Sequence, residues 1–246
     1  MANYTYEKTF YDWVDYQIIE TTASNITSKV INSALCSTSY YGINGGFFAF
    51  GSATIPPVPN SISWVKGTNN NCEKNLGNDA SGKIIEVKRG TLAIFVENGI
   101  FKCLIESVKN VDEMKAIYPN TDFRVMIGGG YFDLFHTESY WKDTVFPSEK
   151  LSCQIDYYGI INPNRTGLGF KVVDNVWKIY LVVTTMGTTL TKLRSFLKDK
   201  LGCWDAMFLD GSGSSQLQCK NGTTLVQNKG SDPNRIISNM IALINT

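Results

Sequence analysis

Apolar positions change their period along the chain, and each change marks an element. From Ile84 the run IIEVKRGTLAIFVENGIFKCLIES is built of short β-branched and aromatic stretches. Arg89-Gly90 and Glu97-Asn98-Gly99 interrupt it as turns, which predicts three successive strands. VDEMKAIY follows as a short helix ended by Pro119, and FRVMIGGG reads as a strand entering a triple-glycine turn. Earlier, residues 22–35 place Ile26, Val30, Ile31 and Leu35 at a weak helical spacing, so a helix is expected there. Residues 51–82 hold turn formers with little periodicity and predict a long loop of the kind that often serves as a lid or binding loop.

The second half is more strongly patterned. VWKIYLVVTTM is a strand, and TTLTKLRSFLKDKLG is an amphipathic helix capped by Thr and stopped by Gly202. Its apolar face carries Leu190, Leu193, Phe196, Leu197 and Leu201, and KLRSFLKDK reads as its solvated face. AMFLDG is the next strand, so a β–α–β unit leads into the loop DGSGS and sets Asp210 at a strand's C-terminal end. QLQCKNGTTLVQ is a hairpin turning at Asn221-Gly222, and SNMIALIN is a closing core strand. Many strands and few helices predict a single α+β domain over residues 1–246, with mixed or antiparallel sheets.

Composition narrows the chemistry. The 246 residues are 43% hydrophobic and 18% charged with a net charge of +1, which gives no basic face for nucleic acid. No apolar run has the length of a membrane span. The start, MANYTYEKTFYDW, lacks the basic and apolar regions of a signal peptide, which favours a cytoplasmic or virion-associated protein unless a leader was removed. The Asn/Lys/Ile-rich composition fits a low-GC genome or a phage. Six cysteines without a CxxC pair favour reduced thiols, and no metal site or cofactor is expected. His136, the one histidine, sits in YFDLFHTESYW; an aromatic setting suits a structural histidine better than a triad member.

Three glycine-punctuated polar segments carry the candidate chemistry. FLDGSGSSQ delivers Asp210 into a loop of Gly211, Ser212, Gly213, Ser214 and Ser215, whose N–H groups and hydroxyls suit phosphates and sugars. YGINGGFFAF sets Asn44 before Gly45 and Gly46; alone, Asn-Gly is a hairpin turn. INPNRTGLGF presents Arg165 and Thr166 at the start of a strand.

NGGFF, NRTGLG and LDGSGSSQL, in that order, resemble the motifs of the phosphodiester glycosidase family, N-[GA]-G-F-F, R-T-A-x-G and L-D-G-G-G-S. NRIISNMIAL, with Arg235, is a final match, and the likeness spans about residues 41–246. Gly167 replaces the family's Ala, and Ser212 replaces its middle Gly; at φ > 0 a Ser there costs on the order of 1 kcal/mol.

The resemblance implies hydrolysis of a sugar-1-phosphodiester, of the α-N-acetylglucosaminyl type, at its glycosidic bond. A phosphate leaving group needs little proton donation, so anion stabilisation and one carboxylate suffice. Asp210 is then the carboxylate, Arg165 the phosphate grip, and Asn44 a ligand to sugar hydroxyls or water. Gly45, Gly46, Thr166, Gly211, Ser212, Gly213, Ser214, Ser215 and Arg235 would complete the substrate site. A second carboxylate is open among Asp133, Glu138, Asp156 and Asp232. Two other functions compete: a sugar-phosphate or nucleotide-sugar binding module without turnover, for which Ser212 speaks, and a structural component with a vestigial pocket.

Overall fold

In the computed structural model, residues 3–49, 56–69, 71–151, 153–156 and 163–246 are described. Three antiparallel sheets carry the architecture, and few helices accompany them. The first has six strands in the order Tyr4–Tyr11, Val14–Thr22, Val176–Thr184, Thr166–Val173, Asp205–Phe208 and Gly130–Tyr131. The second orders Ile100–Val108, Arg89–Glu97, Asp122–Gly128 and Ser63–Val65. The third orders Thr224–Asn228, Leu217–Asn221, Gly42–Asn44, Ile237–Leu243 and Ile26–Ser33.

All three sheets bury one face in a common core. Ile19, Leu168, Leu181 and Met207 come from the first sheet, Leu92, Ile94 and Ile127 from the second, and Ile43, Leu217 and Ile241 from the third. The first sheet is also covered on its other face by the helix Leu190–Ser195 and its wider continuation Phe196–Lys200. Thr189 caps this helix, its hydroxyl accepting from Lys192 N at 3.1 Å, and Gly202 ends it at φ +66. A sheet buried on both faces explains why its central strands are apolar without clean alternation.

The strand Thr166–Val173 shows how the helix is accommodated. Leu168 and Phe170 point into the common core, while Gly167 and Gly169 face the helix side. A Cβ on Gly169 would lie 2.7 Å from Cys203 Sγ, and one on Gly167 would lie 3.1 Å from Leu193. The glycines therefore set the helix-to-sheet distance. The β–α–β unit is present as a crossover: Val176–Thr184 and Asp205–Phe208 run the same way, and each pairs antiparallel with Thr166–Val173 between them.

Several local expectations are corrected. Residues 26–33 form a strand against Ile237–Leu243, not a helix; β-branched Ile26, Thr27, Val30 and Ile31 fit a pleated surface, and the sheet supplies the backbone partners. Arg89-Gly90 is no turn but the start of a nine-residue strand, the break falling at Val87-Lys88. Asn44-Gly45 makes no hairpin, since Gly42–Asn44 pairs with two strands distant in sequence. The C-terminal hairpin turns at Gly222-Thr223, with Asn221 paired to Thr224. Within 51–82, Val58–Pro59, Ser63–Val65 and Leu76–Asn78 are strands, and positions 51–55 and 70 lie outside the described residues, as do Phe50, Ile161 and Asn162.

Arg194, assigned to the solvated helix face, is buried. Its Nε donates to the Phe132 carbonyl at 2.9 Å, and its Nη2 donates to the carbonyls of Asp133 and His136 at 2.9 and 2.8 Å. His136 lies exposed on the surface, its Nδ1 2.8 Å from Asp133. Among the described residues no helix is long and apolar enough to cross a membrane.

Leu197 is fully buried against the first sheet. Leu197→Ala should lower the unfolding free energy by about 2–5 kcal/mol, read from the urea midpoint at unchanged slope.

Candidate active site

One buried side chain gathers the polar motifs. Asn44 Nδ2 donates to the Asp210 carbonyl at 2.8 Å and to the Gly45 carbonyl at 3.2 Å. Its Oδ1 accepts from Thr166 Oγ1 at 2.9 Å and from Gln216 N at 3.0 Å. Backbone bonds reinforce the junction: Leu209 N donates to Thr166 O at 2.9 Å and Ser212 N to Asn164 O at 2.7 Å. Gln216 carries the network onward, donating from Nε2 to Arg235 O and accepting Leu35 N on Oε1. Segments more than a hundred residues apart therefore meet at Asn44. Its amide and that of Gln216 are engaged within the protein, so Asn44 acts here as a clasp between loops.

Asp210 sits where two cavities meet. A cavity of about 560 Å³ is lined by Arg165, Asp210, Gly211 and Ser212, with Asn164, Gln154 and Ser231 around them. A neighbouring cavity of about 360 Å³ is lined by Arg89, Lys150, Asn60 and Asn78. Phe47, Cys153 and Asp210 border both. Burial pushes the Asp210 carboxyl up to about 6, against the pull of the Ser214 hydroxyl, the Gly211 N–H and the Arg235 charge. Gly211 N donates to its Oδ1 at 3.0 Å.

Arg165 is 5% exposed, with Nε donating to Thr188 O and Nη2 to Gln154 O, both at 3.1 Å. Its Nη1 lies 3.9 Å from where a Cβ on Gly211 would stand. Among the described residues no carboxylate is within ion-pair distance of it. A buried guanidinium held by carbonyls alone keeps an unneutralised charge at the cavity wall, a strong attractor for an anion.

The remaining expected residues divide. Gly211 and Ser212 line the larger cavity, and Ser214 lies beside the Asp210 carboxyl. Thr166 and Ser215 are fully buried, and neither lines either of these two cavities. Gly45 and Gly46 also stay off both cavities and are needed for packing: a Cβ would fall 1.8 Å from Asn239 Oδ1 or 2.1 Å from Gly128 O. Gly213 packs near Asp232 and Arg235, whose charge reaches Asp210. Ser212 takes φ +59, the left-handed conformation its Cβ disfavours.

Arg89, Glu149, Cys153 and Phe47 were not expected from the sequence. Arg89 is 5% exposed, and its guanidinium stands 5.4 Å from the Phe47 ring centre. Glu149 is fully buried and accepts Gly90 N at 2.6 Å and Tyr131 N at 3.0 Å, and burial pushes its carboxyl up to about 8. Cys153 is pushed up to about 11 by burial, so it stands as a thiol. Arg89 was hidden by its resemblance to a turn, and Glu149 lies in a helix end without motif. The four carboxylates weighed as second members, Asp133, Glu138, Asp156 and Asp232, line neither cavity; Asp133 bonds His136, and Glu138 and Asp156 share Lys142.

The family model for phosphodiester glycosidase matches residues 155–244, which hold the RTGLG, LDGSGSS and NRIIS motifs. The whole chain superposes on the catalytic domain of zebrafish N-acetylglucosamine-1-phosphodiester α-N-acetylglucosaminidase auto-inhibited by its pro-peptide. That match has a TM-score of 0.59 at 18% identity, covering 100% of this chain and 83% of that one. A hypothetical protein from Synechocystis matches with TM-score 0.50 at 12% identity, over 98% of this chain and 61% of that one. At these identities the likeness shows the fold. No curated protein sequence matches the chain. The resemblance to the phosphodiester glycosidase family is borne out over residues 155–244, and the two structures add the fold of the full chain.

Two outcomes are expected from this geometry. Asn44→Ala leaves the Asp210 carbonyl, the Thr166 hydroxyl and the Gln216 N–H without partners, and should cost about 3 kcal/mol or more in urea unfolding. The Asp210 carboxyl is raised from 3.8 to about 6 in the folded protein, so the native state holds a proton that the unfolded chain has released. Its contribution to stability is present at low pH and lost as pH rises through that window. Asp210→Asn should therefore gain stability over the parent as pH increases from about 4 to 6, measured by urea unfolding across that range.

Proposed function

We propose that this chain hydrolyses the glycosidic bond of a sugar-1-phosphodiester, releasing the free sugar and a phosphomonoester. The observation that carries the reading is the pairing of a half-buried carboxyl, Asp210, with a buried, carbonyl-held guanidinium, Arg165, on one cavity wall within the family-matched segment. The zebrafish protein's name, an N-acetylglucosamine-1-phosphodiester α-N-acetylglucosaminidase, makes an α-N-acetylglucosaminyl diester the first substrate to try.

In this mechanism the phosphate lies against Arg165 beside the Gly211–Ser212 turn, with the anomeric carbon toward Asp210. The bond from the anomeric carbon to the phosphate-bridging oxygen breaks, and its electron pair leaves with the phosphomonoester. Water bonds to the anomeric carbon, and its proton passes to the Asp210 carboxylate. The same negative charge stabilises the oxocarbenium-like transition state. A carboxyl near 6 is ionised at neutral pH yet basic enough to take that proton. Ligand binding without turnover is the second reading. Its motive, a serine where the related motif has glycine, is weakened because Ser212 already occupies the left-handed conformation that the loop requires.

The test is steady-state hydrolysis of an α-N-acetylglucosaminyl phosphodiester, read as released sugar. Asp210→Asn should lower kcat by about a hundredfold or more while calorimetry still detects a slow analogue, and parent activity should rise with pH through about 6. Arg165→Lys keeps charge without the planar fork and should weaken KM and kcat together. Near-normal turnover in Asp210→Asn would sink the mechanism. His136→Gln, at an exposed position away from both cavities, should keep kcat/KM within about threefold, as surface substitutions away from a site usually do.

A further inference from the structure

The smaller cavity has a composition the hydrolysis of a neutral sugar does not need. Arg89 reaches it from the strand Arg89–Glu97, and the guanidinium is nine-tenths buried. Its Nε donates to the Glu149 carbonyl at 3.2 Å. Among the described residues no carboxylate comes within ion-pair distance of that guanidinium. The Glu149 carboxyl bonds instead to the N–H groups of Gly90 and Tyr131, and its raised titration leaves it a weak counter-charge. Gly77 keeps the space open: a Cβ there would stand 3.1 Å from Arg89 Nη2.

The rest of the wall suits a sugar that bears charge. Lys150 adds a second cation at the rim, and its charge reaches Asp79. Asn60 and Asn78 line the wall with amides suited to hydroxyls, and Phe47 adds an aromatic side chain. Asp210 is the only acidic residue lining the cavity among those described, and it marks the boundary with the Arg165 cavity. Burying a guanidinium without an anion is costly, and a ligand anion would relieve it.

We propose that the Arg89 cavity is a second anion subsite, which receives a phosphate or carboxylate carried by the sugar whose anomeric bond is cut at Asp210. The proposal rests on the sugar-1-phosphodiester reading. The substrate class it specifies is doubly anionic: one charge in the scissile diester at Arg165, another on the sugar at Arg89. A repeating polymer of sugar-1-phosphate units has this pattern, because each sugar bears the next diester on a ring hydroxyl or at its hydroxymethyl group.

The experiment compares the methyl phosphodiester of α-N-acetylglucosamine 1-phosphate with its 3-, 4- and 6-phosphorylated counterparts. The parent should favour at least one phosphorylated form by tenfold or more in kcat/KM. Arg89→Gln should cut that preference ratio at least tenfold, whereas Arg165→Lys should lower both substrates alike. Because Arg89 is buried and its replacement can unfold the protein, Lys150→Glu at the exposed rim is the second variant; it should cut the ratio at least threefold. Equal rates on the substrates with and without the added phosphate, or a ratio untouched by both variants, overturns the subsite. If nothing is hydrolysed, the catalytic reading fails and the subsite is judged by calorimetry with N-acetylglucosamine phosphates alone. Tenfold tighter binding than N-acetylglucosamine, lost in Lys150→Glu, sustains it; equal binding overturns it.

Discussion

The four hydrogen bonds of the Asn44 amide are what the rest of the site depends on. Two hold the carbonyls of Asp210 and Gly45, and two take protons from Thr166 and Gln216. An amide is suited to this position because it offers two donors and two acceptor lone pairs on one planar group. Buried bonds of this kind contribute little net energy when made, but a partner left unsatisfied costs about 1–3 kcal/mol. The clasp therefore specifies geometry more than it adds stability. It fixes the main chain on either side of Asp210 while leaving the carboxyl directed at the cavities.

Charge placement follows a second constraint. Arg165 and Arg89 are buried and Asp210 is half-buried beside them, yet neither guanidinium has an acidic partner within ion-pair distance among the described residues. Each is oriented instead by backbone carbonyls, which hold a cation without neutralising it. The carboxyl between them responds to burial more than to these cations and titrates near 6. On the proposed function, an anion would better satisfy this arrangement, whereas a structural ion pair is already satisfied within the protein.

Close approach supplies the third constraint. Glycines at 45, 46, 167 and 169 do not all serve loop flexibility; at these positions a Cβ would strike Asn239, Gly128, Met207 or Cys203. Gly45 and Gly46 let the NGGFF segment lie against the third sheet and the Gly128 turn. Gly167 and Gly169 let the helix settle on the first sheet behind Asp205–Phe208. Packing thus determines the point at which the strand releases Asp210 into its loop.

Local chemistry made much of this legible in the chain itself. The helix capped by Thr189 and ended by Gly202, the strands around Leu168 and Leu181, and the delivery of Asp210 to a Gly/Ser loop all follow from period, capping and turn residues. Those signals act within a dozen residues, which is why they survive without tertiary context. Long-range contacts decided the rest. Residues 26–33 became a strand because Ile237–Leu243 offered an edge, against a weak helical spacing. Arg89-Gly90 left its turn reading because Ile100–Val108 and Asp122–Gly128 pair on either side of that strand. Asn44, which looked like a ligand to substrate, became a clasp once Thr166 and Gln216 were brought to its oxygen. Arg89 joined the site only because the second sheet carries it beside Phe47 and Asp210. Residue types and their spacing determined which groups could do chemistry here; the packing of three sheets decided which of them face the cavities and which are consumed in holding the cavities' shape.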